Sequence, residues 1–276
     1  MIGAGFTPAS LEEVRTLETE PAVLVDYDHG LHREFHTVEG ALEALRTLFP
    51  DGAPASVLDV GCGTGTWLKA CLDRGSEQVF GVDGAELADG DLLIAKSLVQ
   101  RLDLNRPFEL GRRFDLVLCL ETVEHIEPQN AATIVDSLCA HGDRILFSAA
   151  APDQPGTHHV NCRWPDHWQK LFNERGYACD DRPRWLIWEN RVIEPWYRQN
   201  MFVAVRNEEL AGSEPRIKPV INPDMLPYAA RTFLAGNMAT LEEGPAPLSW
   251  YVTVPFKAAA AKLRRRMSRR RQAESV

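Results

Sequence analysis

The feature that most limits what this chain can become is Val57-Leu58-Asp59-Val60-Gly61-Cys62-Gly63-Thr64-Gly65, an apolar run that breaks into three glycines at alternate positions. Its first half reads as a buried strand. Glycines at the strand's end let the backbone turn sharply and leave no side chain between the main chain and a ligand. Residues 65–74 then have helical periodicity and stop at Gly75. Strand, glycine turn and helix in that order open a doubly wound α/β domain, although a glycine turn alone serves structural ends as often as binding.

The alternation continues from Ala55 to about Asn207. Strands are expected at 56–60, 78–82, 98–102, 115–120, 144–148 and 201–205, with helices at 129–140 and 166–175 between them. Ahead of this core, Leu31, Phe35, Val38, Leu42, Leu45 and Leu48 fall at helical spacing until Pro50 ends the pattern, which predicts an amphipathic helix. The chain therefore divides into an N-terminal helical segment or lid (1–54), the α/β domain (55–207), a proline-rich appendage (208–256) and a basic tail (257–276). At 45% hydrophobic and 25% charged residues it can bury a full core. Its apolar runs are far shorter than the roughly 20 residues that cross a bilayer, and its first residues lack the marks of a secretory signal, so a cytoplasmic location is expected. Six scattered cysteines without C-x-x-C spacing read as reduced thiols.

Twenty-four residues past Asp59, the second strand ends on Asp83, where a carboxylate can accept hydrogen bonds from both ribose hydroxyls of an adenosine ligand. Nicotinamide and S-adenosylmethionine (SAM) sites share that demand, and details separate them. The dinucleotide fingerprint is Gly-x-Gly-x-x-Gly facing a pyrophosphate. Here the third glycine comes one residue early and Asp59 precedes the glycines, an acid that suits the α-ammonium group of SAM.

With these residues in view, 57–65 resembles the first motif of class I SAM-dependent methyltransferases at every position, and Asp83 matches their ribose-binding acid. The resemblance implies a mostly parallel, seven-stranded Rossmann-like sheet. It also implies that Gly61, Cys62, Gly63 and Gly65 line the methionine part, that Asp103 and Leu104 address the adenine, and that Leu120 and Glu121 lie beside the sulfonium.

Chemistry in doubly wound sheets occurs beyond the carboxyl ends of the strands. After the fourth strand, Glu121, Glu124 and His125 stand three and four residues apart, a spacing that turns all three to one side of a tight helical turn. His125 is the natural general base for deprotonating a hydroxyl acceptor. Two carboxylates and a histidine are also a plausible set for Mg²⁺ or Mn²⁺, with His158 or His159 as a further ligand. Glu-x-x-Glu-His resembles the pattern of metal-assisted O-methyltransferases of the ubiquinone pathway and of small-RNA 2′-O-methyltransferases, and it recurs in methyltransferases for which no metal is implied.

Residues 148–161, which end in His158-His159-Val160-Asn161, form a polar loop over the sheet's active edge. Trp185, Trp188, Trp196 and Tyr197 cover a sheet edge or stack on a planar or sugar acceptor. From 57 to about 205 the chain is similar to a group of bacterial methyltransferases with largely unassigned acceptors, whose members read Gly-Gln-Gly-Gly where this chain has Asp153-Gln154-Pro155-Gly156. At the N-terminus His29, His32 and His36 have helix-like spacing, and Tyr27 and His32 are lid candidates.

The formal charge of −9 is uneven: residues 257–276 carry eight Lys/Arg against one Glu, which leaves −16 on the remainder. Such a body is a poor general nucleic-acid binder, whereas the tail can meet phosphates. The expected function is therefore SAM-dependent O-methylation of a small molecule or glycan. The rivals are RNA 2′-O-methylation anchored by the tail and a SAM-binding protein without catalysis.

Overall fold

Strands buried on both faces need helices above and below, and near-continuous apolar runs such as Leu116–Leu120 mark them. In the computed structural model, which describes residues 36–86, 90–227 and 253, the strands are β1 (Ser56–Val60), β2 (Gln78–Asp83), β3 (Val99–Arg101), β4 (Leu116–Leu120), β5 (Arg144–Ser148), β6 (Tyr177–Asp180) and β7 (Phe202–Arg206). They form one sheet in the order β3-β2-β1-β4-β5-β7-β6. The first five are mutually parallel, and β7 runs antiparallel to both β5 and β6. Leu58 pairs with Phe80 on one side and Val117 on the other, so the chain leaves β1 toward one edge and returns through β4 toward the other. A crevice opens at the carboxyl ends where that direction reverses.

The helices are α1 (Val38–Leu48), α2 (Thr66–Asp73), α3 (Ala131–His141), α4 (Pro165–Asn173), α5 (Arg182–Ile187) and α6 (Pro195–Asn200). Thr37 caps α1 by accepting from the Gly40 amide, and Gly40, Ala41, Ala44 and Leu45 form its buried face. Proline at the first turn starts α4, α5 and α6, where its missing N–H is harmless. Phe147 sits at the core, its ring centroid 5.5 Å from Trp168, 5.3 Å from Phe172 and 5.0 Å from Phe202.

The expected doubly wound, mostly parallel seven-stranded sheet is present. The strand expected at 98–102 is shorter, because a single 3₁₀ turn, Lys96–Leu98, takes its first residue. The seventh strand, β6, is four residues long and ends on an aspartate, too short and polar for its periodicity to show. Its Tyr177 hydroxyl donates to the Gly142 carbonyl at 2.6 Å, which ties this edge to the end of α3. Of the helix expected at 31–48, the described part is α1; residues 31–35, the lid candidates Tyr27 and His32, and the basic tail lie outside the described residues.

The chain divides into compact units 1–226 and 227–276, and only residues 227 and 253 of the second are described. Residues 208–226 go with the first unit because Glu214 draws the chain back. One of its carboxylate oxygens accepts from Gln169 (3.0 Å), Asn173 (2.6 Å) and the Cys179 amide (3.0 Å), while Ile217 and Met225 are buried.

Two glycines separate backbone strain from steric conflict. Gly61 and Gly75 have φ of +81° and +95°, but a methyl group on Gly61 would collide with Thr122 while one on Gly75 meets nothing within 4 Å. Gly75→Ala is expected to cost about 1 kcal/mol, the left-handed strain alone, and Gly61→Ala about 3 kcal/mol. Equal shifts in the urea midpoints of the two variants would contradict this.

Candidate active site

The glycine turn is fastened to the strand beside it. The amides of Gly61 and Cys62 donate to the Val82 carbonyl at 2.8 and 3.2 Å, and Asp83 accepts from the Gly63 amide through Oδ2 and the Ala85 amide through Oδ1, both at 2.8 Å. Each Asp83 oxygen is thus fixed by one main-chain N–H and retains a lone pair for a ligand. Gly65, at φ +82°, is the N-cap of α2.

Asp59, Gly61, Cys62, Gly63, Asp83, Asp103, Leu104, Leu120, Glu121, His125 and His158 line one cavity of about 1010 Å³, part of which is open to solvent. Of the expected donor-site residues, only Gly65 stands outside the lining. Sequence reasoning overlooked Trp67, Thr122 and Asn105, and it assigned His36 and Tyr197 to other tasks; all five border the cavity. Among the described residues that line it there is no Lys or Arg, while Asp59, Asp83, Asp103 and Glu121 are acidic. Burial, reinforced by the charge of Asp83, pushes the Asp59 carboxyl up to about 8.

The opposite end is built on β4, β5 and α6. Glu121 takes φ +50°, and with Asp153 (+64°) and His158 (+56°) it completes the set of non-glycine residues with positive φ among those described. All three lie at this end, where strained backbone commonly serves a site. The Glu121 carboxylate accepts from Gln154 Nε2 at 2.6 Å and from Asn200 Nδ2 at 3.1 Å. Burial raises its pKa, and the amides of Asn200 and Gln154 oppose the shift.

Glu124 and His125 lie on the 3₁₀ turn Val123–His125. Glu124 is 1% exposed, and its Oε2 has no hydrogen-bond partner. Burial first, then the charge of Glu121, pushes its pKa well up, against the pull of the Glu124 and Ala150 amides. His125 Nδ1 is 3.3 Å from the His158 carbonyl, and His159 Nδ1 is 3.0 Å from the Gln154 carbonyl. Taking both contacts as Nδ1–H donors puts each neutral ring's lone pair on Nε2. Burial lowers the pKa of His159, which favours that neutral ring.

Ligand atoms of Glu124, His125 and His159 lie within 4.8 Å of one another, and the two imidazoles meet edge-on with centroids 5.0 Å apart. The cation set expected from sequence was Glu121, Glu124 and His125, with His158 or His159 as a further ligand. The cluster found has His159 in the place of Glu121, whose carboxylate is engaged by Gln154 and Asn200. Trp168 and Trp196 are buried and Trp185 is exposed, and none of the tryptophans expected to cover an edge or stack on an acceptor borders the cavity. No helix among the described residues is long and apolar enough to cross a membrane.

The chain is similar to several known methyltransferases over part of its length. Ubiquinone biosynthesis O-methyltransferase from Coxiella burnetii is 28% identical over 102 residues, covering 33% of this chain and 42% of that protein. The enzyme of the same name from Acinetobacter baumannii is 31% identical over 105 residues, covering 35% and 44%. The chain thus spans less than half the length of these relatives. Among solved structures, a sugar N-methyltransferase from a Streptoalloteichus species has a TM-score of 0.48 at 16% identity, covering 72% of this chain and 100% of that one. Magnesium protoporphyrin IX methyltransferase from Synechocystis, solved with bound S-adenosylhomocysteine, has a TM-score of 0.45 at 21% identity, covering 62% and 82%. A family model described as a methyltransferase domain matches residues 31–191, more than half the chain, and takes in the glycine turn, Asp83 and the Glu121–His125 turn. This chain belongs to that methyltransferase-domain family of class I, SAM-dependent enzymes.

Proposed function

We propose that the chain transfers the methyl group of SAM to an oxygen atom of a small molecule or glycan. The observation that carries this reading is the continuity of the cavity, which runs from Asp83 and the glycine turn to Glu121, His125 and His158. Donor and acceptor can therefore meet without crossing protein.

Each wall residue has a task in this reading. Asp83 accepts from the ribose hydroxyls with the lone pairs its backbone contacts leave over, Asp103 and Leu104 meet the adenine, and Asp59 meets the α-ammonium. Glu121 presents negative charge to the sulfonium, its carboxylate held by two amides. The acceptor oxygen attacks the methyl carbon opposite sulfur; as the C–O bond forms the C–S bond breaks, its electrons pass to sulfur, and S-adenosylhomocysteine leaves. The hydroxyl proton passes to His125 Nε2. His158 holds the ring of His125 through its carbonyl and borders the acceptor side.

Glu124, His125 and His159 also fit Mg²⁺ or Mn²⁺. The unpartnered Oε2 of Glu124 and two imidazoles whose Nδ1 atoms face main-chain carbonyls are the donor set and outer shell such an ion takes. When bound, the ion lowers the pKa of an acceptor hydroxyl. A cation and a proton compete for the same Nε2 of His125, so the two roles are alternatives. The anchored-tail reading for RNA depends on residues outside those described, and nothing in the cavity favours it.

Incubation with SAM and a panel of phenols and sugars is expected to yield S-adenosylhomocysteine. His125→Gln should lower turnover at least 10²-fold with SAM affinity within about twofold of wild type; unchanged turnover rejects the role. Chelation is expected to cut activity at least about tenfold, with Mn²⁺ or Mg²⁺ restoring it. Activity indifferent to a strong chelator leaves His125 as a base only.

Asp59 links the site to stability. The unfolded chain ionises this carboxyl near 3.8 and the folded protein only near 8, so the folded state holds the extra proton and stability falls as pH rises between those values. Asp59→Asn removes that loss. The variant's ligand-free melting temperature at pH 7 should rise by about 3–6 °C, and by less at pH 5. Its SAM affinity should drop about tenfold. A variant that melts lower at pH 7, or binds SAM as wild type does, contradicts the assignment.

A further inference from the structure

Glu121 borders the cavity, but the side chains that hold its carboxylate, Gln154 and Asn200, do not. Asn200 belongs to a run of buried amides that continues through Gln199 to Asn222, each at most 2% exposed. Residues 199, 200 and 222 lie beyond 31–191, the stretch that the methyltransferase-domain model matches, so family membership gives them no task.

A side-chain amide can face either way, and a neighbour that cannot turn decides which. Here that neighbour is main chain. The Asn222 N–H donates to Gln199 Oε1 at 2.9 Å, which commits the oxygen end of Gln199 to the segment after β7. Gln199 Nε2 is left to donate to Asn200 Oδ1 at 3.1 Å. Asn200 then presents Nδ2 on its other side, and this nitrogen donates to Glu121 Oε1 at 3.1 Å and to Gln154 Oε1 at 2.9 Å. Gln154 Oε1 also accepts from the Ala151 amide at 3.4 Å, so its Nε2 points at Glu121 Oε2, 2.6 Å away. Both nitrogens that reach Glu121 thus take their direction from backbone N–H groups. Reversed, Asn200 would set its carbonyl oxygen against the carboxylate and against Gln154 Oε1. Burial makes such a reversal costly, since each polar atom left unpaired keeps its desolvation penalty.

SAM and S-adenosylhomocysteine differ in charge at one atom: the sulfonium is positive and the thioether neutral. A carboxylate fixed beside the sulfur stabilises the first and leaves the second nearly unaffected. We infer that Gln199 and Asn200 are positioning residues: anchored by the Asn222 amide, they aim two donors at Glu121 and so fix the anion by which the site tells the methyl donor from its product. This rests on the reading of SAM as donor with Glu121 beside its sulfonium. The segment after β7 then acts on the reacting centre without touching it.

The test is calorimetric titration of the full chain with SAM and with S-adenosylhomocysteine, read as the ratio of the two affinities. Glu121→Gln is the reference variant: it removes the charge and should weaken SAM at least about tenfold while S-adenosylhomocysteine stays within about twofold of wild type. Asn200→Leu should weaken SAM about tenfold and Gln199→Met about fivefold, again with S-adenosylhomocysteine within about twofold. The S-adenosylhomocysteine arm shows that each variant is folded. If Asn200→Leu binds neither ligand, Gln199→Met decides, because it keeps the side chain's volume at a position that does not border the cavity. A shift in Glu121→Gln that Gln199→Met does not share, or an equal loss of both ligands in Gln199→Met, overturns the positioning role while the donor reading stands. An unchanged ratio in Glu121→Gln overturns the sulfonium role of Glu121 and the positioning role with it. Wild type that binds neither ligand overturns the donor reading itself.

Discussion

The site depends on one carboxylate that holds a turn in place. Asp83, the last residue of β2, accepts from the Gly63 and Ala85 amides, so the loop after β1 is tied to the end of its neighbour. The fit of Gly61 against Thr122 brings the end of β4 to the same point. Three parallel strands therefore finish around one spot, and the surface there is largely main chain. Parallel strands carry their loops at a common edge, and glycine lets that edge be approached closely.

That geometry concentrates acid. Asp59, Asp83, Glu121 and Glu124 are gathered at one end of the sheet, and among the described residues no Lys or Arg in the cavity wall offsets them. Desolvation pushes the Asp59, Glu121 and Glu124 carboxyls upward, the charge of Asp83 adds to the shift of Asp59 and that of Glu121 to the shift of Glu124, and the folded protein stores the destabilisation. A cationic ligand relieves that strain. In the proposed reading, that acidity favours the ammonium and sulfonium charges of SAM.

The acceptor end is ordered by amides. Gln154 donates to Glu121 through its side chain and holds His159 through its carbonyl, while Asn200 donates to both Glu121 and Gln154. Asn200 is itself held by Gln199, whose Oε1 accepts from the Asn222 amide. The polar face of α6 therefore connects the acceptor loop to the chain after β7. Buried amides satisfied in this manner fix a single arrangement, because any alternative leaves one unpaired.

Much of this was legible in the residues alone. Periodicity and turn chemistry located six strands and the glycine turn, since buried strands and sharp turns are local demands on composition. The positions of Asp83 and of the Glu121–His125 turn followed from where strands end. β6 was invisible because four residues with a polar end carry too little pattern, and α5 and α6 because tertiary burial, rather than an amphipathic stripe, stabilises such short helices. The sequence by itself determined the sheet, its binding edge and the acid at that edge. Only the tertiary structure decided that His159 joins Glu124 and His125 while Gln154 and Asn200 take Glu121, and that Tyr197 meets both His36 and Trp67. Those contacts join residues from 33 to 161 positions apart, and their distances are set by how the sheet and helices pack, which no local pattern encodes.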